Sequence, residues 1–288
     1  MKPLVSVWMV TYNHEKYIAE ALESVLMQQT NFDFEIVIGE DCSTDQTRRI
    51  IKDYEHKYPN IIFPIYHDKN VGGMRNAYEF TLPLCRGKYI ACLEGDDYWI
   101  DPLKLQKQVD LMAKNPDCSL CFHASKNVNA SNPELFEIYR PIDTPKDNRF
   151  GVEHAIKYRG GLMATNAMLF KTECVIDIPD WCFQGASGDL CLTLLMASHG
   201  DMLYIDEVMS AYRVAAVGSW SLSIHKNPER IKTHYANTAN MWRGYNLYTK
   251  GVYKKAINKV LRRNAYICKK FFLKQALIKI VPFGVLKK

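Results

Sequence analysis

The sequence predicts an α/β fold in which helices cover both faces of a doubly wound, mostly parallel β-sheet. Two observations favour this class. Strand-like and helix-like segments alternate four times between residues 4 and 93, as in consecutive βαβ units. The strand-like segments are also apolar almost throughout, which is typical of strands buried on both faces. A chain of 288 residues can bury such a core in one or two domains.

Hydrophobic spacing and turn signals delimit the elements of the first part of the chain. The predicted strands are residues 5–10, 34–39, 61–65 and 89–93. Three helices are predicted in this part of the chain. The first has apolar residues from Tyr17 to Leu26 on one face, the second begins at the capping-box signature Ser43 to Gln46, and the third spans residues 74–85.

The pattern changes beyond residue 124. Residues 125–149 collect Asn, Pro and Asp and predict a long loop or insertion. Residues 166–170 and 202–205 are strand-like, residues 189–199 are helix-like, and only helices are predicted from residue 228 onward. We therefore expect a sheet domain over residues 1–220 and a C-terminal helical region over residues 221–288.

Composition excludes several classes. The chain has 48% hydrophobic residues, without low-complexity tracts or repeats, so disordered and solenoid proteins are excluded. Nine cysteines, an odd number, predict reduced core residues, including those of the lone Cys118 to Cys121 motif. The apolar N-terminal segment stops at Tyr12, too early for a signal peptide, so we expect a cytoplasmic protein.

Polar residues follow three of the predicted strands directly. They are Tyr12 and Asn13, then Glu40 and Asp41, then the cluster Glu94, Asp96 and Asp97. In a parallel sheet these strand ends meet in one crevice, where ligands bind. Carboxylate oxygens select Mg²⁺ or Mn²⁺, which are often shared with substrate phosphates. The alternative is that these acids favour the dipole of the next helix, an explanation that suits Asp101 but not the acids further upstream.

Six motifs in one order make the chain resemble the family 2 glycosyltransferases, inverting enzymes of the GT-A fold. The resemblance covers residues 3–220. Its motifs are Val5 to Asn13, Glu40 to Asp45, Asn70 to Asn76, Gly87 to Asp97, Gly188 to Leu190, and Tyr212-Arg213. It implies a GT-A-like nucleotide-sugar-binding catalytic domain over residues 1–220.

The resemblance also implies roles for individual residues. Asp96 and Asp97 would contact the cation, with Asp96 the first choice, and Glu94, which replaces the family's usual aspartate, would contact the metal or the ribose. Residues that would hold the nucleotide sugar, with UDP-sugars favoured, are Thr11, Tyr12, Asn13, Asp41, Asn70, Arg75, Glu94 and Asp96. Asp189 would be the general base, with a helix N-cap as its alternative role. No histidine follows Arg213, where many relatives carry one.

The basic excess of the chain lies after Lys250, where Lys and Arg alternate with Phe, Leu, Ile and Val. This pattern indicates an interfacial amphipathic helix and no nucleic-acid partner. We expect residues 270–288 to contact either the inner face of the cell membrane or another part of the protein, and a homo-oligomer is one alternative. The resemblance implies a saccharide or lipid-linked acceptor and a role in bacterial cell-surface polysaccharide assembly.

Two other functions stay open. A sugar nucleotidyltransferase would share the fold and the metal carboxylates, but such enzymes usually carry a glycine-rich phosphate loop, and residues 10–14 contain no glycine. A non-catalytic nucleotide-binding subunit of a saccharide-assembly complex is the second alternative.

Overall fold

The computed structural model describes residues 2–185, 187–214 and 228–280, with the backbone alone at residues 228 and 274–280. The strands of its single sheet are β1 (Val5–Thr11), β2 (Phe34–Glu40), β3 (Ile62–Tyr66), β4 (Tyr89–Cys92), β5 (Tyr98–Trp99), β6 (Cys118–Asn129), β7 (Asn132–Tyr139), β8 (Arg149–Phe150), β9 (Leu169–Lys171) and β10 (Asp201–Val214). The α-helices are α1 (Ile18–Leu26), α2 (Thr47–Lys57), α3 (Gly73–Arg75), α4 (Lys104–Lys114), α5 (Val152–Tyr158), α6 (Asp180–Phe183), α7 (Gly188–His199), α8 (Pro228–Tyr248) and α9 (Lys254–Ile280).

The sheet runs in the order β3-β2-β1-β4-β9-β6-β10-β5, with β7 paired to β6 and β8 to β10. The ladders among β3, β2, β1 and β4 and the long ladder between β6 and β10 are parallel, and the short strand β9 joins the two halves in antiparallel pairing. The predicted α/β class with a mostly parallel sheet is therefore confirmed.

Apolar side chains cover both faces of this sheet. On one face Ile18 of α1, Ile51 of α2 and Leu105 of α4 pack against the strands. On the other face the core takes its side chains from α5 to α9, and Trp242 of α8 is fully buried there. Burial on both faces explains why the central strands are apolar at nearly every position.

The predicted elements of residues 1–100 correspond closely to the observed ones. The third predicted helix, over residues 74–85, is a compound element: α3 continues into a π-helical turn at Asn76–Thr81 and a 3₁₀ turn at Leu82–Leu84. Side chains stabilise the π-helical turn. Asn76 donates from Nδ2 to the carbonyl oxygen of Gly39 at 2.8 Å, and Thr81 donates from Oγ1 to the carbonyl oxygen of Asn76 at 2.7 Å.

The predicted long loop over residues 125–149 is wrong in its first half. Residues there form the β6–β7 hairpin, whose turn is held by Asn129, since its Oδ1 accepts hydrogen bonds from the N–H groups of Ser131 and Asn132. Almost every residue of β7 is exposed, so the strand lacks the one-sided apolar alternation by which a strand is recognised in sequence.

The cysteines depart from the expectation in one place. Cys118 and Cys121 are fully buried in β6, as expected of core residues. Cys182 and Cys191, however, form a disulfide with a Cα–Cα distance of 5.2 Å, which joins α6 to α7. The expectation that all the cysteines are reduced is therefore wrong for this pair.

The C-terminal region consists of α8 and α9, as predicted. The predicted boundary near residue 220, the position after Arg213 that lacks a histidine, and residues 281–288 lie outside the described residues. Among the helices that are described, none has the length and apolar character needed to cross a membrane.

Candidate active site

A cleft of about 680 Å³ opens at the carboxyl ends of β1 and β4. Its walls come from widely separated parts of the chain: the 71–75 segment before and within α3, Glu94 after β4, Thr165, the start of α7, and Tyr212 near the end of β10. The predicted site residues Arg75, Glu94 and Asp189 all line it. Of the polar residues after β1, β2 and β4 that were expected to share one crevice, Glu94 lines this cleft, whereas Tyr12, Asn13, Glu40, Asp41, Asp96 and Asp97 are not among its lining residues.

Glu94 presents an unsatisfied oxygen at this cleft. Its Oε2 is buried and has no hydrogen-bond partner among the described residues. Burial, and secondarily the neighbouring Asp96, raises the pKa of Glu94 to about 8. An unpartnered buried carboxylate oxygen is costly unless a ligand or cation completes its coordination, so Glu94 is suited to contact one.

In the acidic turn, Asp96 has the carboxylate that is least engaged by other side chains. The side chain is 15% exposed, and Nε2 of His14 lies 3.9 Å from its Oδ2. Burial, partly offset by the charge of Asp96, lowers the pKa of His14, which favours the uncharged imidazole. An uncharged His14 would not compete with a cation for the Asp96 carboxylate.

Asp97 does not face the cleft. It is 1% exposed, its Oδ2 accepts a hydrogen bond from Asn166 Nδ2 at 2.9 Å, and its Oδ1 accepts one from the backbone N–H of Arg213 at 2.8 Å. Burial and the charges of Asp96 and Glu94 raise its pKa well above the usual range. Both oxygens of Asp97 thus join the acidic turn to β10, and its predicted contact with a metal stays a prediction.

The acidic turn supplies part of the coordination that a divalent cation needs. Within the described ranges, no three His, Cys, Asp or Glu side chains are grouped so that they could hold a metal ion alone. Asp96, together with the orphaned oxygen of Glu94, supplies hard oxygen donors of the type that Mg²⁺ and Mn²⁺ prefer. These donors fit a cation whose other ligands are diphosphate oxygens.

Asp189 stands apart from the acidic turn, at the first turn of α7. Its Oδ1 accepts hydrogen bonds from the backbone N–H of Leu190 at 2.7 Å and from the hydroxyl of Ser187. Tyr78 supports the same turn by donating from its hydroxyl to the carbonyl oxygen of Gly188 at 2.9 Å. These bonds fix the carboxylate in the cleft wall, with Oδ2 free of hydrogen bonds from the described residues.

The predicted nucleotide-binding residues lie around the 70–72 loop and the end of β1. Asp41 is 2% exposed, and its two oxygens accept hydrogen bonds from the N–H groups of Val71 at 2.6 Å and Gly72 at 3.0 Å. Asn70 donates from Nδ2 to the carbonyl oxygen of Asp41 at 3.1 Å. Asp41 and Asn70 therefore fix the backbone of the 70–72 loop, of which Val71 and Gly72 line the cleft.

The segment after β1 is held by the loop after β2. Asn13, at a φ of 57°, accepts a hydrogen bond at Oδ1 from the N–H of Thr44 at 2.8 Å. Thr11 is buried beneath the acidic turn, and Tyr12 is 37% exposed. An exposed aromatic ring such as that of Tyr12 can stack on a base.

Arg75 lines the cleft but is already paired. Its Nε donates to Glu79 at 2.9 Å, and its guanidinium lies 5.6 Å from the ring centroid of Phe80. The pair is exposed and therefore weak, so a diphosphate can compete for the guanidinium.

Sequence reasoning missed several cleft residues. Trp8, Tyr78 and Thr165 line the cleft, but the first two have the apolar spacing of core residues and Thr165 belongs to no motif. Of the aromatic residues considered for sugar stacking, Tyr212 lines the cleft, Trp181 packs in the core 5.0 Å from the ring of Tyr245, and Trp220 is outside the described residues.

Comparison with known families decides the identity of this fold. Residues 6–172 match the family described as glycosyl transferase family 2. The chain belongs to this family. Within it, 121 residues are 39% identical to a putative teichuronic acid biosynthesis glycosyltransferase, TuaG, of Bacillus subtilis, covering 42% of this chain and 46% of that protein. Mycobacterial relatives are 33% identical over 223 residues, or 75% of this chain, and this chain spans 60% of their length.

Solved structures agree on the fold of this family 2 glycosyltransferase. The Staphylococcus aureus TarS fragment 1–349 in complex with UDP-GlcNAc has a TM-score of 0.56 at 18% identity, covering 87% of this chain and 72% of that one. A mannosyltransferase of Pyrobaculum calidifontis in complex with GDP-Man and Mn²⁺ has a TM-score of 0.57 at 16% identity, covering 98% and 81%. The GT-A-like architecture followed by C-terminal helices is thereby confirmed.

Proposed function

We propose that this chain transfers a sugar, with inversion, from a nucleoside-diphosphate donor to an acceptor hydroxyl, with help from Mg²⁺ or Mn²⁺. One observation carries the proposal: Glu94 at the acidic turn and Asp189 at the start of α7 open on the same cleft from different elements. The first group suits the diphosphate end of a donor, and the second suits an acceptor.

The acidic turn would bind the donor through Asp96. A cation held there would neutralise charge that develops on the leaving diphosphate. Glu94 would use its orphaned oxygen on the same cation or on a ribose hydroxyl. Asp97 would position the turn through Asn166 and Arg213.

Asp189 would act as the general base. Its Oδ1 is held by Ser187 and Leu190, so Oδ2 would take the proton of the acceptor hydroxyl. The acceptor oxygen then forms its bond to the anomeric carbon while the bond from that carbon to the diphosphate oxygen breaks, and the electron pair leaves with the nucleoside diphosphate. A single displacement of this kind inverts the anomeric carbon.

The nucleotide would lie against Tyr12 and the 70–72 loop, with Arg75 near the diphosphate. We favour UDP, which the structurally similar TarS fragment binds as UDP-GlcNAc, although the similar mannosyltransferase binds GDP-Man. Asp41 already accepts two backbone hydrogen bonds, so a base N–H reaches it only if the 70–72 loop shifts.

A membrane surface is the proposed site of the acceptor. Residues 254–273 contain seven basic residues and no acidic one. One exposed stripe of α9 combines Lys255, Lys259, Arg262, Tyr266, Lys269, Lys270 and Leu273 at helical spacing. Such a face, cationic with apolar side chains at its centre, favours an anionic lipid surface, and saccharide or lipid-linked acceptors for cell-surface polysaccharides would be met there.

Calorimetric titration with UDP, with and without Mn²⁺, tests the donor site. We expect Mn²⁺-dependent binding that Asp96→Ala removes and that Asp53→Ala, an exposed acid outside the cleft, leaves intact. If UDP, GDP and other nucleoside diphosphates all failed to bind, the donor-site proposal would be wrong. Binding without turnover on any acceptor would instead favour a non-catalytic subunit.

Sedimentation with vesicles tests the membrane face. We expect co-sedimentation with phosphatidylglycerol vesicles but not with pure phosphatidylcholine, and a loss of at least fivefold in Lys259→Gln/Lys269→Gln/Lys270→Gln. The matched control changes three exposed lysines of the sheet domain, Lys16, Lys52 and Lys114, to Gln. Equal losses in both triple variants would mean that net charge alone drives binding.

A further inference from the structure

Alternate residues of β1 and β4 form the floor of the cleft. Trp8 pairs with Cys92 in the parallel ladder between these strands, and Val10 and Glu94 follow two residues later on each chain segment. All four line the cleft, as expected of residues that share one face of a sheet. Because both strands run toward the acidic turn, Trp8 and Cys92 lie deeper in the cleft than Val10 and Glu94.

Apolar side chains face this deep end. Ala77 and Tyr78 of the π-helical turn and Leu192 of α7 line the cleft and belong to the same buried cluster as Trp8. The ring of Tyr78 packs edge to face against that of Trp8, with 5.3 Å between the ring centroids. The Tyr78 hydroxyl is already used, since it donates to the carbonyl oxygen of Gly188.

One polar group at this end has no partner. The indole Nε1–H of Trp8 is buried and forms no hydrogen bond with the described residues, and the whole residue is only 7% exposed. A buried donor without an acceptor costs free energy that an acceptor on a ligand would recover. Trp8 otherwise packs in the core, so the cleft is the side from which such an acceptor can come.

The deep end discriminates among the groups that a sugar can carry. A hydroxyl could accept the hydrogen bond of Trp8, but its own hydrogen would lack an acceptor among the apolar side chains. A carboxylate would bury a charge there, whereas the guanidinium of Arg75 is exposed and paired with Glu79. The carbonyl oxygen of an acyl amide needs only a donor, and its methyl group suits an apolar wall. The amide N–H, attached to the sugar ring, stays toward the polar mouth.

We propose that the donor sugar carries a 2-acetamido group. Its carbonyl oxygen would accept the hydrogen bond of Trp8, and its methyl group would pack against Ala77 and Leu192; these three residues and Cys92 form the acyl pocket. The inference rests on the proposed function, which places the anomeric carbon between the diphosphate and Asp189. Carbon 2 adjoins the anomeric carbon, so its substituent can reach the floor of the cleft. Trp8 is thereby a specificity-determining residue for the donor.

Calorimetric titration of the full chain with matched donors tests the acyl pocket. UDP-GlcNAc and UDP-Glc differ only in the acetamido group, as do UDP-GalNAc and UDP-Gal. With Mn²⁺ present, we expect at least tenfold tighter binding of the acetamido sugar in one of the two pairs. Trp8→Phe, which keeps an aromatic ring and removes the N–H, should reduce this preference to less than threefold. Trp242→Phe, which removes an unpartnered indole N–H outside the cleft, should retain the preference.

The NMR signal of the Trp8 indole N–H, assigned by its absence from Trp8→Phe, gives a second readout on the unaltered chain. The preferred acetamido sugar should shift this signal at least threefold more than its hydroxyl counterpart does. Equal affinities within both pairs, or a preference that persists in Trp8→Phe, would overturn the inference while UDP binding upheld the donor site. If no nucleoside diphosphate bound, the donor site itself would be wrong, and the acyl pocket with it.

Discussion

The guanidinium of Arg213 donates a hydrogen bond from Nη1 to the backbone carbonyl oxygen of Asp96 at 2.6 Å. The same guanidinium is ion-paired with Glu20 and lies 4.4 Å from the ring centroid of Tyr98 and 4.9 Å from that of Tyr17. One side chain near the end of β10 thus fixes the position of the acidic turn after β4. The turn is held by a residue 117 positions later in the chain.

Arg213→Lys should loosen this turn while keeping the charge. A lysine cannot bond to Asp96 and Glu20 together and stack between two rings, because it lacks the planar fork of the guanidinium. We expect Mn²⁺-dependent UDP binding to weaken at least tenfold and the free energy of unfolding to fall by about 1–3 kcal/mol. Calorimetry and urea denaturation measure both, with Arg49→Lys, an exposed pair with Asp53, as the control. Unchanged UDP affinity would show that the turn keeps its place without Arg213.

Gly95→Ala should displace the acidic turn, because the added methyl group would clash with β1. A methyl group at Gly95 would lie 2.5 Å from Oγ1 and 2.7 Å from Cβ of the buried Thr11, so the turn must move away from β1. We expect a loss of about 1–3 kcal/mol in stability from overpacking, together with loss of Mn²⁺-dependent UDP binding. At Gly151 the nearest neighbour of an added methyl is 3.4 Å away, so Gly151→Ala is the control in thermal denaturation and calorimetry. A stable variant with normal UDP binding would contradict the close packing.

Asp189→Asn and Ser187→Ala separate the base from its orienting partner. Asparagine keeps the shape of the side chain but cannot take a proton, so we expect UDP binding to change less than threefold and turnover to fall by about 10²–10⁴-fold. Ser187→Ala removes one hydrogen bond to Oδ1 and should lower turnover by about tenfold. Release of UDP from the donor sugar that a binding screen selects is the readout, with Asp177→Asn, an exposed acid, as the control. Full turnover by Asp189→Asn would exclude Asp189 as the base.

Local patterns in the sequence predict the first half of the fold well. Strands β1, β2 and β4 are mostly apolar and buried and are separated by helical segments, so each is recognisable alone. Strand β7 is not, because it is exposed and held only by pairing with β6. Strand β7 forms because it pairs with β6, and the hydrophobic periodicity of its own residues does not indicate that pairing.

The candidate site was predictable to a different degree at each residue. Motif order identified Glu94, Asp96 and Asp189 as polar residues after strands or at a helix start, and the structure brings Glu94 and Asp189 to one cleft. The motif put Asp96 ahead of Asp97 as the cation ligand but could not show that Asp97 is buried, because that burial depends on Asn166 and Arg213, distant in sequence.

A buried lysine predicts how stability depends on pH. Lys104 is fully buried, its Nζ donates to Gln108 Oε1 at 2.7 Å and lies 3.9 Å from the ring centroid of Trp99, and burial lowers its pKa to about 7. An unfolded chain would hold the proton up to about pH 10.4. Between these two values the unfolded state binds more protons than the folded state, so the free energy of unfolding should rise with pH by about 1 kcal/mol per unit.

Lys104→Met isolates this contribution, because methionine has a similar length and does not titrate. Urea denaturation should show that the free energy of unfolding of the unaltered chain rises between pH 7 and pH 9. In Lys104→Met this rise should be smaller by about 1–2 kcal/mol. Lys114→Met, at an exposed position of the same helix, should keep the full rise. If Lys104→Met and the unaltered chain gained stability equally between the two pH values, Lys104 would have to be protonated in the folded protein, with Trp99 and Gln108 stabilising its charge.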